Sequence, residues 1–388
     1  MRDDVDGGVG VSSDVLVIGA GMAGVVAGCF LAPLGRVRVL EMEPAPAYHS
    51  TGRSAAHFSE YFGNPAVRRM TAASWPFLRT PPPGFDGPLV APRGVLALCP
   101  PGAEDVFDRA YEAGRRVRGG VERLDEGQVR ELCPVVRPGR FVAALLRPSA
   151  MDLDVAALHA GMVRGIRAAG GEIRCGARVR ALARRRGSWY ADTDAGTFAA
   201  PIVVNAAGAW ADELARLAGA APQGLVSRRR TVAVTPAPDG YDVTRWPMVT
   251  DVTDTFYFKP ESGRLLLSPA DSTPVPAGDV RPDDLDVALA AHRFEEATTV
   301  RVRRITHRWA GLRTSTPDDI PVIGADPAAK GFHWLAGLGG YGIQLAPACG
   351  RLLAAAVTGT APDGPLAGLA EVVAPRQPTA HRSPAHSP

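Results

Sequence analysis

The strongest constraint on the fold of this 388-residue chain is a glycine-rich turn near its N-terminus. Two short apolar runs, Asp14 to Ile18 and Val37 to Glu41, flank a helical stretch from Met22 to Leu34. Apolar runs of this kind predict parallel strands that are covered on both faces, and a strand, a helix and a second strand in this order form a βαβ unit. The sequence therefore opens as an α/β dinucleotide fold of the Rossmann type.

Each glycine of the turn has a separate task. Gly19 permits the tight turn, Gly21 lets backbone amides approach a pyrophosphate at the helix N-terminus, and Gly24 allows close packing of the helix. Glu41, about 20 residues further on, can accept hydrogen bonds from ribose hydroxyls, and it would repel a 2′-phosphate. The pattern predicts a dinucleotide site, but by itself it does not separate NAD from FAD.

Chain length and composition limit the number of domains, the binding partners and the cellular location. The length exceeds what one core organises, so two domains are expected. The formal net charge of +3 is small and both signs are spread along the chain, which argues against a nucleic-acid partner. Five scattered cysteines form no metal-binding pattern. Neither a signal peptide nor an apolar stretch of about 18 residues is present, so we expect a cytoplasmic protein without a membrane span.

The nucleotide domain is expected to be interrupted in sequence. Prolines around Leu89 to Leu98 favour loops and short edge strands, whereas a helix over Val155 to Ala169 and a buried run at Ile202 to Val204 resume the first domain. Alternating positions in Phe256 to Phe258 predict a largely antiparallel second sheet. The expected boundaries are 12–90, 146–226 and 308–360 for the nucleotide domain, 91–145 and 227–307 for the substrate domain, and 1–11 and 361–388 for flexible tails.

Four further motifs follow the glycine turn in a fixed order. They are Tyr48 to His57, Asn205 to Trp210, Trp309 to Arg313 with Thr316 to Asp318, and Gly339 to Gln344. Together with the turn they resemble the cofactor motifs of the D-amino-acid oxidase superfamily of flavoproteins, and within it most of all bacterial D-arginine dehydrogenase. The resemblance runs from Val15 to Leu353. It implies a discontinuous Rossmann-type FAD-binding domain and a second α+β substrate domain built on a largely antiparallel sheet.

The resemblance also assigns the residues that bind FAD. Polar side chains of the second motif suit the pyrophosphate and the ring edges, two alanines leave room for a flat ring, and the positive end of the last helix would stabilise negative charge on a reduced flavin. No cysteine lies in Gly311 to Thr316, so we expect non-covalent FAD. The assigned residues are Gly19, Gly21, Met22, Ala23, Gly24, Glu41, Ser50, Thr51, Arg53, Ser54, Ala55, Ala56, His57, Val179, Ala207, Gly208, Trp210, Gly311, Arg313, Gly339, Gly340, Tyr341, Gly342, Ile343 and Gln344.

The resemblance assigns catalytic positions as well. Arg230 and Arg313 match ligands of the substrate carboxylate, which the arginine fork suits, and Tyr257 matches a supporting hydroxyl. His57 would orient the amine or accept its proton, and the carbonyl of Gly340 would accept from the imino group. Both Arg230 and His57 also have a purely structural interpretation. Arg230 ends a basic run, and such runs are solvated in many proteins, whereas His57 is equally well a hydrogen-bonded structural histidine.

The predicted pocket departs from that of D-arginine dehydrogenase. Val95 stands where that family has a glutamate for the cationic side chain, and Phe62 replaces a lid tyrosine, so a basic substrate is in doubt. Glu60 is a possible substitute or a solvated loop residue. The strand Gly263 to Ser268 lacks the lysine of sarcosine-type oxidases, which favours a dehydrogenase. The substrate-binding set is Arg230, Arg313, Tyr257, Ser59, Phe62, Val95, Met248, Thr250 and Gly340, and it favours a neutral or apolar side chain.

The sequence thus predicts FAD-dependent oxidation of the Cα–N bond of a small amino acid. A D-amino acid would give an imino acid by hydride transfer to flavin N5, and water would convert the product to an oxo acid and ammonia. Oxidation of glycine, sarcosine or another secondary amine in a biosynthetic pathway is the main alternative. A nicotinamide-linked dehydrogenase and a non-catalytic flavoprotein partner also remain open, as does the electron acceptor: oxygen, a quinone or another carrier.

Overall fold

The computed structural model describes residues 11–376. The strands are β1 Val11–Ser12, β2 Val15–Ile18, β3 Val37–Leu40, β4 His57–Phe58, β5 Val90–Pro92, β6 Val95–Cys99, β7 Glu122–Leu124, β8 Ala143–Arg147, β9 Met151–Leu153, β10 Glu172–Arg174, β11 Val179–Arg185, β12 Ser188–Thr193, β13 Gly196–Ala200, β14 Ile202–Asn205, β15 Val226–Pro236, β16 Met248–Asp251, β17 Tyr257–Glu261, β18 Arg264–Ser268, β19 Thr273–Pro274, β20 His307–Ser315, β21 Val322–Ala325, β22 Phe332–Ala336 and β23 Leu338–Gly339.

Helices cover one face of the nucleotide sheet, whereas the four-stranded sheet β1-β13-β12-β11 and a short helix cover its other face; further helices pack on the larger sheet. The helices are α1 Met22–Leu31, α2 Pro65–Arg79, α3 Glu104–Gly114, α4 Glu126–Leu132, α5 Val155–Ala168, α6 Ala211–Leu217, α7 Asp284–Ala297, α8 Gly342–Thr358 and α9 Leu369–Val372. Short 3₁₀ helices lie at Ala32–Leu34, Gly208–Trp210 and Gly364–Leu366. No helix among residues 11–376 is long and apolar enough to cross a membrane.

The predicted α/β nucleotide domain is built on a six-stranded sheet in the order β10-β3-β2-β14-β22-β21. Its first five strands are parallel, and only β21 runs antiparallel. The apolar runs at Val15–Ile18 and Val37–Leu40 are buried on both faces, as parallel strands under helices must be. Helix α1 lies between this sheet, α5 and α8, so the glycine turn that opens α1 faces the carboxyl edge of the sheet.

The second domain is built on a ten-stranded sheet, β23-β20-β15-β18-β17-β16-β6-β8-β7, with β19 attached to β15. It is antiparallel except where β6 and β16 run parallel. One face packs on α7 around Phe258, Phe294 and Leu267. The other face turns towards the nucleotide domain, and it is this face that carries the candidate site.

The structure corrects three predictions about strands and domain boundaries. The segment at Val95–Cys99 is not an edge strand, since β6 pairs with both β16 and β8. The nucleotide domain does not resume at residue 308, because His307–Ser315 pairs along its length with Val226–Pro236. Residues 361–376 are packed, with Leu366, Leu369 and Val373 buried, although Pro-rich sequence suggested a flexible tail. Residues 377–388, also predicted to be flexible, and 1–10 lie outside the described residues.

Candidate active site

Backbone sterics enforce the glycine turn. Gly19 adopts a φ of +104°, and a Cβ there would collide with the backbone of Ala206. A Cβ on Gly24 would overlap the carbonyl oxygen of Gly19 itself. The carboxylate of Glu41 accepts hydrogen bonds from the amides of Ala20 at 2.7 Å and Glu43 at 3.0 Å. Glycine at positions 19 and 24 therefore keeps the turn free of side chains. Glu41, which directly follows β3, lines the cavity next to the turn.

A cavity of about 760 Å³ begins at this turn and reaches the face of the large sheet. All five sequence motifs contribute to its wall. Of the residues predicted to bind the cofactor, those that line it are Gly19, Gly21, Met22, Ala23, Glu41, Ser50, Thr51, Arg53, Ser54, Ala55, Ala56, His57, Val179, Ala207, Gly208, Trp210, Gly311, Arg313, Gly339, Gly340, Tyr341, Gly342, Ile343 and Gln344. Gly24 lies behind the wall, where it permits the contact between α1 and the turn.

The polar side chains of the second motif bind protein atoms. Ser50 Oγ donates to the carbonyl of Leu312 at 2.7 Å, and Thr51 Oγ1 accepts from the amide of Met22 at 2.9 Å. The Arg53 guanidinium donates to the Ala310 carbonyl at 3.1 Å and to Asp279 at 2.5 Å. These bonds stiffen the loop and tie it to β20. Ser50, Thr51 and Arg53 also line the cavity, and a hydroxyl that accepts one hydrogen bond can still donate another, so their contacts to a pyrophosphate and to ring edges stay predictions.

Two arginines stand side by side at the far end of the cavity. In the register of β15 with β20, Arg228 lies opposite Arg313 and Arg230 lies opposite Gly311, so Arg230 and Arg313 are diagonal neighbours on one face. Gly340 packs against the Arg313 guanidinium, since a Cβ there would come within 3.2 Å of its Cζ. Burial, followed by the charge of Arg313, lowers the pKa of Arg230.

No partner within residues 11–376 satisfies this group of donors. Arg230 Nε and the hydroxyl of Tyr257 are buried without a hydrogen bond, and neither arginine has a carboxylate within the range of an ion pair. Arg229, the residue before Arg230, points the other way and binds Asp286 at 2.8 Å. Buried donors without partners are costly, so their convergence indicates an anion-binding site. The interpretation of Arg230 as part of a solvated run is not supported.

His57 lies in the wall between the two ends of the cavity. Neither ring nitrogen has a hydrogen-bond partner among the described residues, and burial, followed by the charge of Lys259, lowers the pKa of His57 to about 3. Lys259 Nζ binds Asp152 at 3.1 Å, and Arg93 Nε binds the same carboxylate at 2.7 Å. His57 is therefore neutral at physiological pH, with one ring nitrogen able to accept a hydrogen bond.

Some predicted substrate residues line the cavity and others do not. Arg230, Arg313, Tyr257, Phe62, Met248 and Gly340 do. Val95 is fully buried within the sheet, and Thr250 Oγ1 donates to the carbonyl of Phe256 at 2.7 Å. Ser59 is buried, and its hydroxyl accepts from the amide of Tyr61. These three residues support the wall from behind. Glu60 binds Arg118 at 2.7 Å, which removes it as a free acid.

Lys259 and Asp254 are among the cavity-lining residues that the sequence did not predict. Lys259 is only 5% exposed and follows Tyr257 by two residues, so the strand period places both on one face. That spacing was a signal in the sequence, but the search for a lysine covered only Gly263 to Ser268. Asp254, an exposed loop residue with a φ of +53°, also lines the cavity, and no sequence pattern marked it.

Comparison with known proteins decides the family. Residues 14–356 match the model of the DAO family, FAD dependent oxidoreductase. The chain belongs to this family. Glycine oxidase of Geobacillus kaustophilus is 28% identical over 270 residues, which cover 67% of each chain, and its crystal structure superposes with a TM-score of 0.81 at 24% identity over 96% of this chain and all of that one. Mitochondrial dimethylglycine dehydrogenase of Mus musculus is 26% identical over 59% of this chain, and the match spans only 28% of that enzyme.

FAD is the cofactor of this DAO family oxidoreductase, and the site fits it. The glycine turn leaves no room for side chains where a pyrophosphate would lie, Glu41 is placed for a ribose, and Ala55 and Ala56 line the middle of the cavity. Gly339 to Gly342 present the N-terminus of α8, the positive end of a long helix, to the same space. Bound FAD would supply an acceptor for a hydride, which carries both electrons of the oxidation. The narrower likeness to D-arginine dehydrogenase stays a prediction.

Proposed function

We propose that this flavoprotein oxidises the Cα–N bond of a D-amino acid to an imino acid, which water converts to an oxo acid and ammonia. The observation that carries the proposal is the group of unsatisfied donors formed by Arg230, Arg313 and Tyr257 at the glycine-rich end of α8. Two guanidinium groups and a hydroxyl without an acceptor or ion pair among residues 11–376 suit a carboxylate.

Each of these residues has one task in the proposed reaction. Arg230 and Arg313 bind the carboxylate and so fix which face of Cα turns to the cofactor, and the Tyr257 hydroxyl donates to the same group. The carbonyl of Gly340 accepts from the nitrogen, which gains positive character as the imino acid forms. Neutral His57 accepts a hydrogen bond from the amine, and the proton that the amine must lose before hydride leaves Cα goes to solvent.

A second substrate class has its own support. The curated relatives include a glycine oxidase and a dimethylglycine dehydrogenase, and a carboxylate anchor serves glycine and N-methylated glycines equally well. These substrates have no side chain at Cα. They would leave the part of the cavity near Phe62 and Met248 unfilled, and for that reason we place the D-amino acid first.

Anaerobic mixing of the purified FAD enzyme with a substrate panel tests the proposal. The panel contains D-amino acids, their L-enantiomers, glycine and N-methylglycine, and loss of the oxidised flavin absorbance is followed by stopped flow. Fast reduction by D-amino acids, with no reduction by L-amino acids, is the expected result. Fast reduction by N-methylglycine alone would establish the second class, and no reduction by any amine would end both proposals.

A further inference from the structure

The carboxylate of Asp254 lies near the two arginines of the candidate site. Among the described residues, the acids that line the cavity are Glu41, Glu213, Asp254 and Asp319. Asp254 is exposed at the rim, in the turn between β16 and β17. Desolvation by the surrounding protein raises the pKa of its carboxyl, and the charges of Arg230 and Arg313 oppose that increase. Asp254 is therefore the cavity acid whose charge acts on the proposed carboxylate anchor.

The Asp254 carboxylate has no hydrogen bond and no ion pair within the part of the chain that the structure describes. Two nearby acids are bound to protein donors. Asp271 accepts from the amide of Thr231 at 2.6 Å and from its hydroxyl at 3.0 Å. Asp251 accepts from the amide of Thr255 at 2.7 Å. Of these three carboxylates, that of Asp254 is the one left free to act on a ligand.

The turn fixes the position of Asp254. Its φ of +53° is a left-handed conformation that few residues other than Gly, Asn and Asp adopt. Its amide donates to the carbonyl of Asp251 at 3.2 Å, and the Asp251 carboxylate accepts from Thr253 Oγ1 at 2.9 Å as well as from Thr255. Hydrogen bonds inside the turn therefore hold the backbone of Asp254 at the cavity wall.

Two arginines without a nearby acid would be a poor site for an amino acid. They attract the carboxylate, but the same charges repel the α-ammonium group two bonds away from it. A carboxylic acid without an amine is free of that repulsion and would bind better. An acid beside the arginines reverses the order, because it attracts the ammonium group and repels a ligand that carries only negative charge.

We propose that Asp254 is a specificity-determining residue that favours zwitterionic amino acids over carboxylates that lack an amine. This inference rests on the proposed function, since it requires Arg230 and Arg313 to bind the α-carboxylate. Asp254 acts by charge and takes no part in the chemical step. The oxo acid formed by hydrolysis of the product has lost its ammonium group, so the same charge weakens inhibition by that acid.

Binding of two acids that cannot release a hydride tests this inference. 2-Aminoisobutyrate and 2-hydroxyisobutyrate have the same carbon skeleton and no hydrogen on Cα, and only the first carries an ammonium group. Titration of the oxidised FAD enzyme, followed by flavin absorbance, should give the amino acid a Kd about tenfold below that of the hydroxy acid. Asp254→Asn should bring the two Kd values within about threefold of each other, chiefly by tightening the hydroxy acid.

The variants are chosen so that loss of fold and loss of charge can be told apart. Asparagine tolerates the left-handed backbone of residue 254, so Asp254→Asn should fold and retain FAD. Asp239→Asn is the matched control, since it removes an exposed acid that pairs with Arg303, and it should keep the preference. Asp319→Asn removes another acid of the cavity wall and should reduce the preference less than Asp254→Asn does.

Three results would overturn the role of Asp254. They are the absence of a preference for the amino acid in the wild type, an unchanged preference in Asp254→Asn that retains FAD, and a larger effect of Asp319→Asn. Neither acid is oxidised, so the binding result does not depend on turnover. Flavin reduction by D-amino acids would survive any of the three, whereas reduction by no amine at all would end the proposed function.

Discussion

Arg229 and Arg230 are adjacent residues, but replacing one should affect stability and replacing the other should affect activity. They point to opposite faces of β15: Arg230 lines the cavity beside Arg313, and Arg229 binds Asp286. We predict that Arg230→Met lowers kcat/KM without loss of stability. Arg229→Met should lower stability with little change in kcat/KM.

The magnitudes follow from the partners of each side chain. Arg230 Nε has no acceptor in the described part of the chain, so under the proposed function its hydrogen bonds go to the substrate. Loss of two charge-assisted bonds costs about 3–4 kcal/mol, which is about a 100- to 1,000-fold decrease in kcat/KM. The folded protein should tolerate the change, because it removes a like charge from the neighbourhood of Arg313. Removal of Arg229 breaks a half-buried ion pair and should cost about 1–3 kcal/mol of unfolding free energy.

Steady-state kinetics and urea unfolding of the two variants, each saturated with FAD, measure these effects on the same preparations. A D-amino acid that reduces the wild type is the substrate, and flavin absorbance confirms cofactor retention. The reasoning fails if Arg230→Met keeps kcat/KM within threefold of the wild type. It fails equally if both variants lose activity and stability in parallel, since that would mean that the two faces of β15 are not distinct.

Two further predictions concern the cofactor turn and the buried histidine. Gly24→Ala should abolish FAD retention on gel filtration because its Cβ meets the backbone of Gly19, whereas Gly28→Ala, on the same helix, meets only side-chain ends of Ile166 and Val39 and should keep the yellow colour. The pKa of His57 is depressed to about 3, so the folded state resists protonation that the unfolded chain accepts. Its contribution to stability is present above pH 6.5 and is lost as pH falls, by about 2 kcal/mol between pH 6.5 and 5. His57→Leu should remove that part of the acid sensitivity in urea unfolding, and an unchanged pH dependence would contradict the assignment.

The cofactor half of the site was predictable because its signals are local in sequence. Gly19, Gly21 and Gly24 act within one turn, and Glu41 ends the next strand, so strand, turn and helix can be read in order. The parallel nucleotide sheet followed from the same runs. The sequence did not predict which protein atom each polar side chain binds. Thr51 lines the cavity as expected, but its hydroxyl also accepts from the amide of Met22, a contact set by how the loop folds back.

The substrate half depended on pairings that sequence does not encode locally. Arg230 and Arg313 lie far apart in sequence, and only the register of β15 with β20 makes them diagonal neighbours on one face. The segment at Trp309 to Arg313 carries a cofactor motif yet lies in the large sheet, because one strand serves both domains. At Leu366 to Val373 a few apolar residues in a Pro-rich segment were enough to dock the chain, which composition alone did not reveal.

The strand order of the nucleotide sheet has a consequence for how the protein is made. Strand β14 lies between β2, from the start of the chain, and β22, which begins at Phe332. During synthesis the first βαβ unit emerges early, but its neighbours arrive much later, and contacts so distant in sequence form slowly. A ribosome-bound chain that ends before Phe332 would expose the edge of Ile202–Asn205 and would lack the helix behind the flavin. Capture of the yellow cofactor should therefore mark the last stage of biogenesis.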